Sequence, residues 1–334
     1  MTIKDLASQT GYSVGTVSRV LNNQPHVSEA AREIILRAAA ESGFHLNTNA
    51  KQLKQQHGTS ILVICKGPSN ELFDSLLVAI QARVAQTNYP LIVDYIDESE
   101  NEVRRAIQLC LEKKPLGILF LGGNREHFLR DFHQITLPCV LVTNSAASLP
   151  FPNLSSVASD DVLAARSVID QLFRLGHREI AVIGGHRSYS DTTRLRYQGC
   201  LEAFAAHQVP FDEERRYETA RFTFADSYRA AKALLQRNPR MTALFAMSDV
   251  MAIGAIRALA DAGKRVPEDV SVIGFDGLPI GEFMVPRLST VVQSVEELAT
   301  RALELLHRSS EGEATPRHDT LLVKLLLKES TRQI

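Results

Sequence analysis

The sequence predicts a small all-α domain followed by a two-lobed α/β domain built on parallel sheets, and three observations predict it. Residues 1 to 45 hold only short helical periods punctuated by Gly and by Ser or Thr. From Ser60 onward, apolar runs of strand length alternate with amphipathic helices, the pattern of doubly wound parallel sheets. Seven or more such strands over ~270 residues suggest two lobes, and 334 residues is about twice a ~150-residue domain.

The elements follow in chain order. Thr2 is a good N-cap for a helix over 3 to 9, with Asp5 near its positive end and Gly11 as its stop. Ser13 caps a second helix, 14 to 21, and Ser28 caps a third, 29 to 42, which ends at Gly43. Leu6, Ala7, Val17, Val20, Ile34, Ile35 and Ala38 recur at helical spacing and form one small core. Residues 47 to 58 are rich in Gln, Asn and Lys and read as a linker with a short helix. Buried parallel strands are predicted at 60–65, 91–96, 117–121, 139–143, 180–184, 243–247 and 270–275. Helices near 70–87, 100–113, 161–175, 191–207, 225–237 and 249–262 connect them. The domains are therefore 1–46, the linker 47–58, and 59–334.

Composition limits the function. The chain carries 37 basic and 38 acidic side chains, but residues 1 to 60 hold six basic against four acidic, a mild positive bias that is a weak footprint for nucleic acid on its own. Four cysteines, none in a CxxC pair, argue against a disulfide framework or zinc cluster and for a reducing cytoplasm. No leader or membrane span is expected.

The helix, Gly turn and helix at 3 to 21 is the strongest motif, since an α-helix fits the DNA major groove when a partner helix fixes its angle. The segment SVGTVSRVLNN puts Val14, Gly15, Thr16, Ser18, Arg19 and Asn22 on or near the outer face, while Val17, Val20 and Leu21 turn inward. A plain three-helix packing module with a solvated face is the competing reading. GYSVG, residues 11 to 15, formally matches the GxSxG of a hydrolase elbow, but an elbow needs a strand before the Ser, and a helix stands there. No GxGxxG, P-loop or HExxH is present, so no metal and no cofactor is expected.

These residues resemble the lactose-repressor (LacI/GalR) family of bacterial transcription regulators. TIKDLASQTGYSVGTVSRVLN looks like the family's helix-turn-helix, and LGHREIAVIGG (175–185), RLRYQG (194–199), SDVMAIGAIRALADAGKRVPEDVSVIGFDG (248–277) and PRLSTVVQ (286–293) resemble its later stretches in order. The resemblance implies a periplasmic-binding-protein-like second domain with ligand in the cleft between two lobes. It places Val14, Gly15 and Arg19 at base-reading positions, with Thr16, Ser18 and Asn22 near phosphates. Arg19 can fork to guanine O6 and N7, and Val14 can touch a thymine methyl. Gly15 replaces a usual polar reader. Leu53 falls at the family's minor-groove wedge, within a hinge helix of about 47 to 55 in which Ala50 fits but Leu46 and Asn49 depart from the usual residues. Phe73, Arg196 and Phe222 match the family's effector-binding positions, and Asp249 and Asp276 stand at strand carboxyl ends, where a doubly wound sheet holds its ligand. Ser248 stands where Asn is frequent, and Thr143-Asn144 where Asp-Arg is common. His177 reads as structural.

The expected protein is a cytoplasmic, nucleoid-associated homodimeric repressor. Its partners are pseudo-palindromic double-stranded operator DNA and a small effector, a sugar or sugar derivative, and it binds no membrane. The C-terminal LLLKESTRQI has no leucine heptads beyond it, so the coiled coil of a tetramer is not expected. A binding protein without a DNA role leaves residues 1 to 58 unexplained, and a sugar-acting enzyme lacks a base, a nucleophile or a metal set.

Overall fold

Where two Gly or Ser/Thr breaks fall close together the chain makes short helices, and where Val, Ile, Leu and Phe run uninterrupted it makes strands buried on both faces. The computed structural model describes residues 3–21, 27–42, 60–68, 70–87, 89–312 and 315–334. The chain divides into two units, Met1–Gln56 and His57–Ile334. No helix among the described residues is long and apolar enough to cross a membrane.

The first unit contains α1 (Ile3–Thr10), α2 (Val14–Leu21) and α3 (Glu29–Glu41). Gly11 ends α1 in the left-handed region at φ 73°, donating its amide to Ala7 O at 3.0 Å. Ser13 Oγ then accepts from the Thr16 amide at 3.1 Å and starts α2, and Ser28 Oγ accepts from the Ala31 amide to start α3. Leu6, Ala7, Val17, Val20, Ile35 and Ala39 form the core. The reading of Ile34 and Ala38 as core needs correction. Ile34 is exposed and Ala38 only packs at the edge, because the helix turns Ala31, Ile35 and Ala39 inward instead.

The second unit holds two six-stranded sheets. The first consists of β1 (Ile61–Lys66), β2 (Leu91–Ile96), β3 (Gly117–Leu121), β4 (Cys139–Val142), β5 (Leu154–Ser159) and β11 (His318–Leu321), in the order β2-β1-β3-β4-β5-β11, all parallel. Its helices are α4 (Glu71–Val84), α5 (Glu102–Lys113), α6 (Arg125–Asp131) and α12 (Val295–Ser310). The second consists of β6 (Ile180–Gly184), β7 (Tyr217–Thr219), β8 (Ala243–Ala246), β9 (Ser271–Asp276), β10 (Ser289–Val292) and β12 (Lys324–Leu326), in the order β7-β6-β8-β9-β10-β12, with only β12 antiparallel. It is flanked by α7 (Asp161–Arg174), α8 (Asp191–Ala206), α9 (Glu213–Arg216), α10 (Phe224–Arg237) and α11 (Asp249–Asp261).

The chain crosses between the sheets three times, after β5, after β10 and after β11. Consequently α12 follows a strand of the second sheet yet buries Leu298, Ala299, Ala302, Leu305 and Leu306 against the first. The seven predicted strands and six connecting helices form within a few residues of their expected ends. One expectation is corrected: β2 is a sheet edge, so Val93 and Tyr95 are exposed rather than buried. His177 is buried and pins two distant segments, with Nδ1 at 3.0 Å from Thr242 Oγ1 and Nε2 at 3.2 Å from Arg332 O.

Candidate functional site: a reader helix and an interlobe cleft

On α2 the side chains divide as a groove reader requires. Val17 and Val20 are buried, Val14, Gly15 and Arg19 are exposed, and Thr16 and Ser18 are half-buried. Arg19 makes no ion pair among the described residues, so its five donors are available to a partner. Asn22, Leu53 and the hinge positions Leu46, Asn49 and Ala50 lie outside the described residues.

In each sheet the strand order reverses beside β1 and β6, and in doubly wound folds the crevice at the carboxyl ends of such strands holds the ligand. A cleft of about 230 Å³ lies there. Lys66, Asp97, Gly122 and Thr143 line it from the ends of β1 to β4; His186, Phe222 and Asp276 line it from the ends of β6, β7 and β9. Phe73, Arg196, Phe222 and Asp276 are thus brought together as predicted from sequence. Phe73 lies over Gly122 and Phe222 over Gly185. A Cβ on Gly122 would meet Phe73 Cζ at 3.0 Å, and one on Gly185 would meet Phe222 Cε2 at 2.7 Å.

Asp249 is a correction. Its carboxylate does not line the cleft; it is fully buried, accepting from Thr290 Oγ1 at 2.6 Å and from the Leu278 amide at 2.7 Å. It staples α11 to β10 and to the loop after β9, and burial pushes its carboxyl up to about 7. Position alone suggested a ligand contact, because the residue starts a helix at a strand end; the neighbouring hydroxyl that satisfies it is 41 residues away.

Arg196 is only 4% exposed and has two roles at once. Nε donates to Asp161 Oδ1 at 2.8 Å, Nη1 donates to Met247 O at 2.5 Å, and the guanidinium carbon sits 3.5 Å from the Phe275 ring centroid. Its ion-pair partner Asp161, held above the usual carboxylate range by burial against the pull of Arg196, is absent from the sequence prediction. So is Gln293, whose amide nitrogen donates to Asp276 Oδ1 at 2.9 Å while its oxygen accepts from Ser159 Oγ at 3.0 Å. This chain ties two of the crossovers to the cleft floor. Burial pushes Asp276 up to about 8, against the pull of nearby Arg196. Asp276 (φ 119°) and Thr143 (φ 72°) both occupy left-handed backbone at the cleft, where non-glycine residues cost about 1–3 kcal/mol and persist only if held.

The two lobes also touch at the rim. Arg221 pairs with Asp97 and, at 2.7 Å, with Glu98; the Arg125 amide donates to Asp191 Oδ2 at 2.7 Å, and Asn124 Nδ2 to Ser188 O at 2.8 Å. The Ser99 amide, ahead of Arg221, holds the Asp97 carboxyl down at about 2. At the inner end Lys66 pairs with the fully buried Glu102, which also contacts His127 Nδ1 at 2.8 Å and accepts from the Asn124 amide at 2.6 Å. Burial alone would raise Glu102, but bonds from His127 and Lys66 hold it low.

Residues 2–47 match the family described as bacterial regulatory proteins, lacI family, and residues 169–331 match a periplasmic binding protein-like domain. Over 333 residues the chain is 30% identical to the HTH-type transcriptional regulator MalR of Clostridium butyricum, covering 99% of each. It is 29% identical to the ribose operon repressor of Halalkalibacterium halodurans, over 99% of this chain and 97% of that one. Among solved structures, the transcriptional regulator CelR in complex with cellobiose aligns at TM-score 0.73 with 27% identity, covering 99% of each chain. The lac repressor dimer bound to operator and an anti-inducer shares the fold at TM-score 0.84, with 24% identity over 99% of each chain.

Proposed function

The chain belongs to the lacI family of bacterial regulatory proteins, and on that premise we propose that it is a sequence-specific DNA-binding repressor of transcription whose operator affinity is set by a small polar effector, a sugar or sugar derivative. The observation that carries this reading is the pairing, in one chain, of an α2 face on which Arg19 is exposed and makes no ion pair among the described residues, and a second unit whose cleft opens at the switch points of two sheets. The names of the relatives support the sugar: one is a ribose operon repressor, another is a complex with cellobiose.

In this reading Arg19 forks to a guanine, Val14 meets a thymine methyl, Gly15 leaves a gap and Thr16, Ser18 and Asn22 hold phosphates. Leu53 wedges into the minor groove of a pseudo-palindromic operator bound by a homodimer in the cytoplasm, at the nucleoid. Domain boundaries at 1–46, 47–58 and 59–334 separate reader, hinge and sensor.

In the cleft, Asp276 and Arg196 bracket hydroxyls while Phe73 and Phe222 offer apolar faces to a ring's C–H edges. Asp249 works behind them, holding the loop that follows Asp276. Among the described residues the cleft holds carboxylates and guanidinium groups in mutual pairs rather than a nucleophile with a base, which favours a regulator over an enzyme. Footprinting of the chain on DNA upstream of its own gene, with and without Arg19→Ala, tests the assignment: a protected palindrome that the substitution erases supports it, and unchanged protection overturns it.

A further inference from the structure

Among the described residues lining the cleft there are three ammonium or guanidinium groups and four carboxyl groups, those of Asp97, Glu98, Asp226 and Asp276. Each cation is already taken. Lys66 sits on Glu102, Arg196 on Asp161 and Arg221 on Asp97 and Glu98. Two of the carboxylates that neutralise them, Glu102 and Asp161, stand behind the lining and are fully buried or nearly so. Among the described residues a phosphoryl or carboxylate group entering this cleft would meet no uncommitted Lys or Arg, and the imidazole in the lining, His186, interacts with Glu98; an anion buried without a partner is strongly disfavoured.

What the cleft does leave open suits a hydroxyl. Asn144 is 4% exposed, lines the cleft, and its side-chain nitrogen has no acceptor among the described residues. A hydroxyl can accept from it and donate onward, whereas an ammonium could only donate. Asp276 keeps carboxyl lone pairs beyond its single bond from Gln293. The volume, about 230 Å³, equals about seven or eight waters at ~30 Å³ each and falls below the ~300–1,000 Å³ of sites for larger ligands.

From this geometry we propose that the effector is a single-ring, uncharged monosaccharide, and that the cleft rejects the phosphorylated and carboxylated forms of the same sugar. The proposal rests on the reading of this cleft as the effector site. Arg221, on the rim, is the guanidinium among the described residues of the lining that could turn toward an anion, and Asp97 and Glu98 hold it in place. They act as the charge filter.

Calorimetry on the full chain with matched probes tests this: ribose against ribose 5-phosphate, glucose against glucose 6-phosphate, galactose against galacturonate, and maltose as the two-ring control. Thermal melts in inorganic phosphate, against chloride at equal ionic strength, form a second arm that needs no sugar. The expected result is a neutral monosaccharide that binds about tenfold or more tightly than its charged counterpart, with phosphate stabilising only the Asp97→Asn/Glu98→Gln variant. A charged sugar binding as well as its neutral form, maltose binding best, or phosphate stabilising the unmodified chain overturns the proposal. Silence from every sugar, charged and neutral alike, brings down the carbohydrate reading itself and this inference with it; a response from the charged members alone overturns this inference and leaves the carbohydrate reading standing.

Discussion

Replacing Arg196 by Met removes a guanidinium that makes two hydrogen bonds and stacks on Phe275, while keeping much of its apolar stem. The survivor, Asp161, is 3% exposed and would be a buried carboxylate without a counter-charge. Removing one partner of a buried ion pair costs about 3–5 kcal/mol, most of it the stranding of the other. Asp161→Asn in the same chain leaves no stranded charge, so the double variant should regain about 2 kcal/mol or more relative to Arg196→Met. Asp161 already sits above the usual carboxylate range, and without Arg196 it should rise further. Its folded-state proton affinity then exceeds that of the unfolded chain, so Arg196→Met is least harmful below about pH 4 and loses stability as pH rises toward the new folded value. Urea unfolding followed by circular dichroism at two pH values, for both single variants and the double, gives the full cycle. A coupling below about 0.5 kcal/mol, or destabilisation by Arg196→Met that does not depend on pH, would refute the claim that Arg196 is held by Asp161.

Other outcomes follow from the same geometry. Arg19→Ala should cost about 1–3 kcal/mol per guanine contact and relax sequence preference while nonspecific binding survives, read by gel shift against random competitor. Gly185→Ala places a Cβ 2.6 Å from Thr193 Oγ1 and 2.7 Å from Phe222 Cε2, so the ring must move and effector affinity should fall in calorimetry; unchanged affinity removes Phe222 from the site. Asp249 and Asp276, raised to about 7 and about 8, hold protons in the folded chain that the unfolded chain has lost above about pH 4. Their contribution to stability is therefore full below about pH 4 and lost as pH rises through those values, at no more than about 1.4 kcal/mol per pH unit for each proton. Asp276→Asn should flatten the upper part of that decline in melts, and an unaltered profile would contradict it.

The residues themselves explain what was legible. Strands such as Ile180–Gly184 and Gly117–Leu121 are buried on both faces, and burial on both faces writes a continuous apolar run. Leu154–Ser159 is just as buried but reads LSSVAS, because its serines are satisfied from far along the chain: Ser155 Oγ accepts from the Arg317 amide at 3.2 Å and Ser159 Oγ donates to Gln293. Hydropathy cannot show a strand whose polar groups are matched by a crossover more than 100 residues away. Tyr217–Thr219 and Lys324–Leu326 are three-residue edges, too short to have a period. Val295–Ser310 does carry a helical spacing, Leu298, Ala299, Ala302, Leu305, and the sequence reading leaves it unassigned; that it covers the first sheet follows only from the crossover. In the cleft, single residues matched to the family, Phe73, Phe222 and Arg196, and one placed at a strand end, Asp276, were readable. Their partners Asp161, Gln293 and the Arg221 pair were not, since pairs formed between residues 17 to 124 positions apart leave no local pattern.

The central claim, that one chain couples an operator reader to a sugar cleft, is tested most directly by a gel shift of the full protein on its own upstream DNA, titrated with the neutral monosaccharide that binds in calorimetry. The account predicts a specific complex resistant to random competitor, whose affinity the sugar changes by about 1–3 kcal/mol of coupling, with the operator changing sugar affinity by the same factor. A complex that random DNA displaces equally well, or an operator affinity unmoved by a saturating sugar, would contradict it.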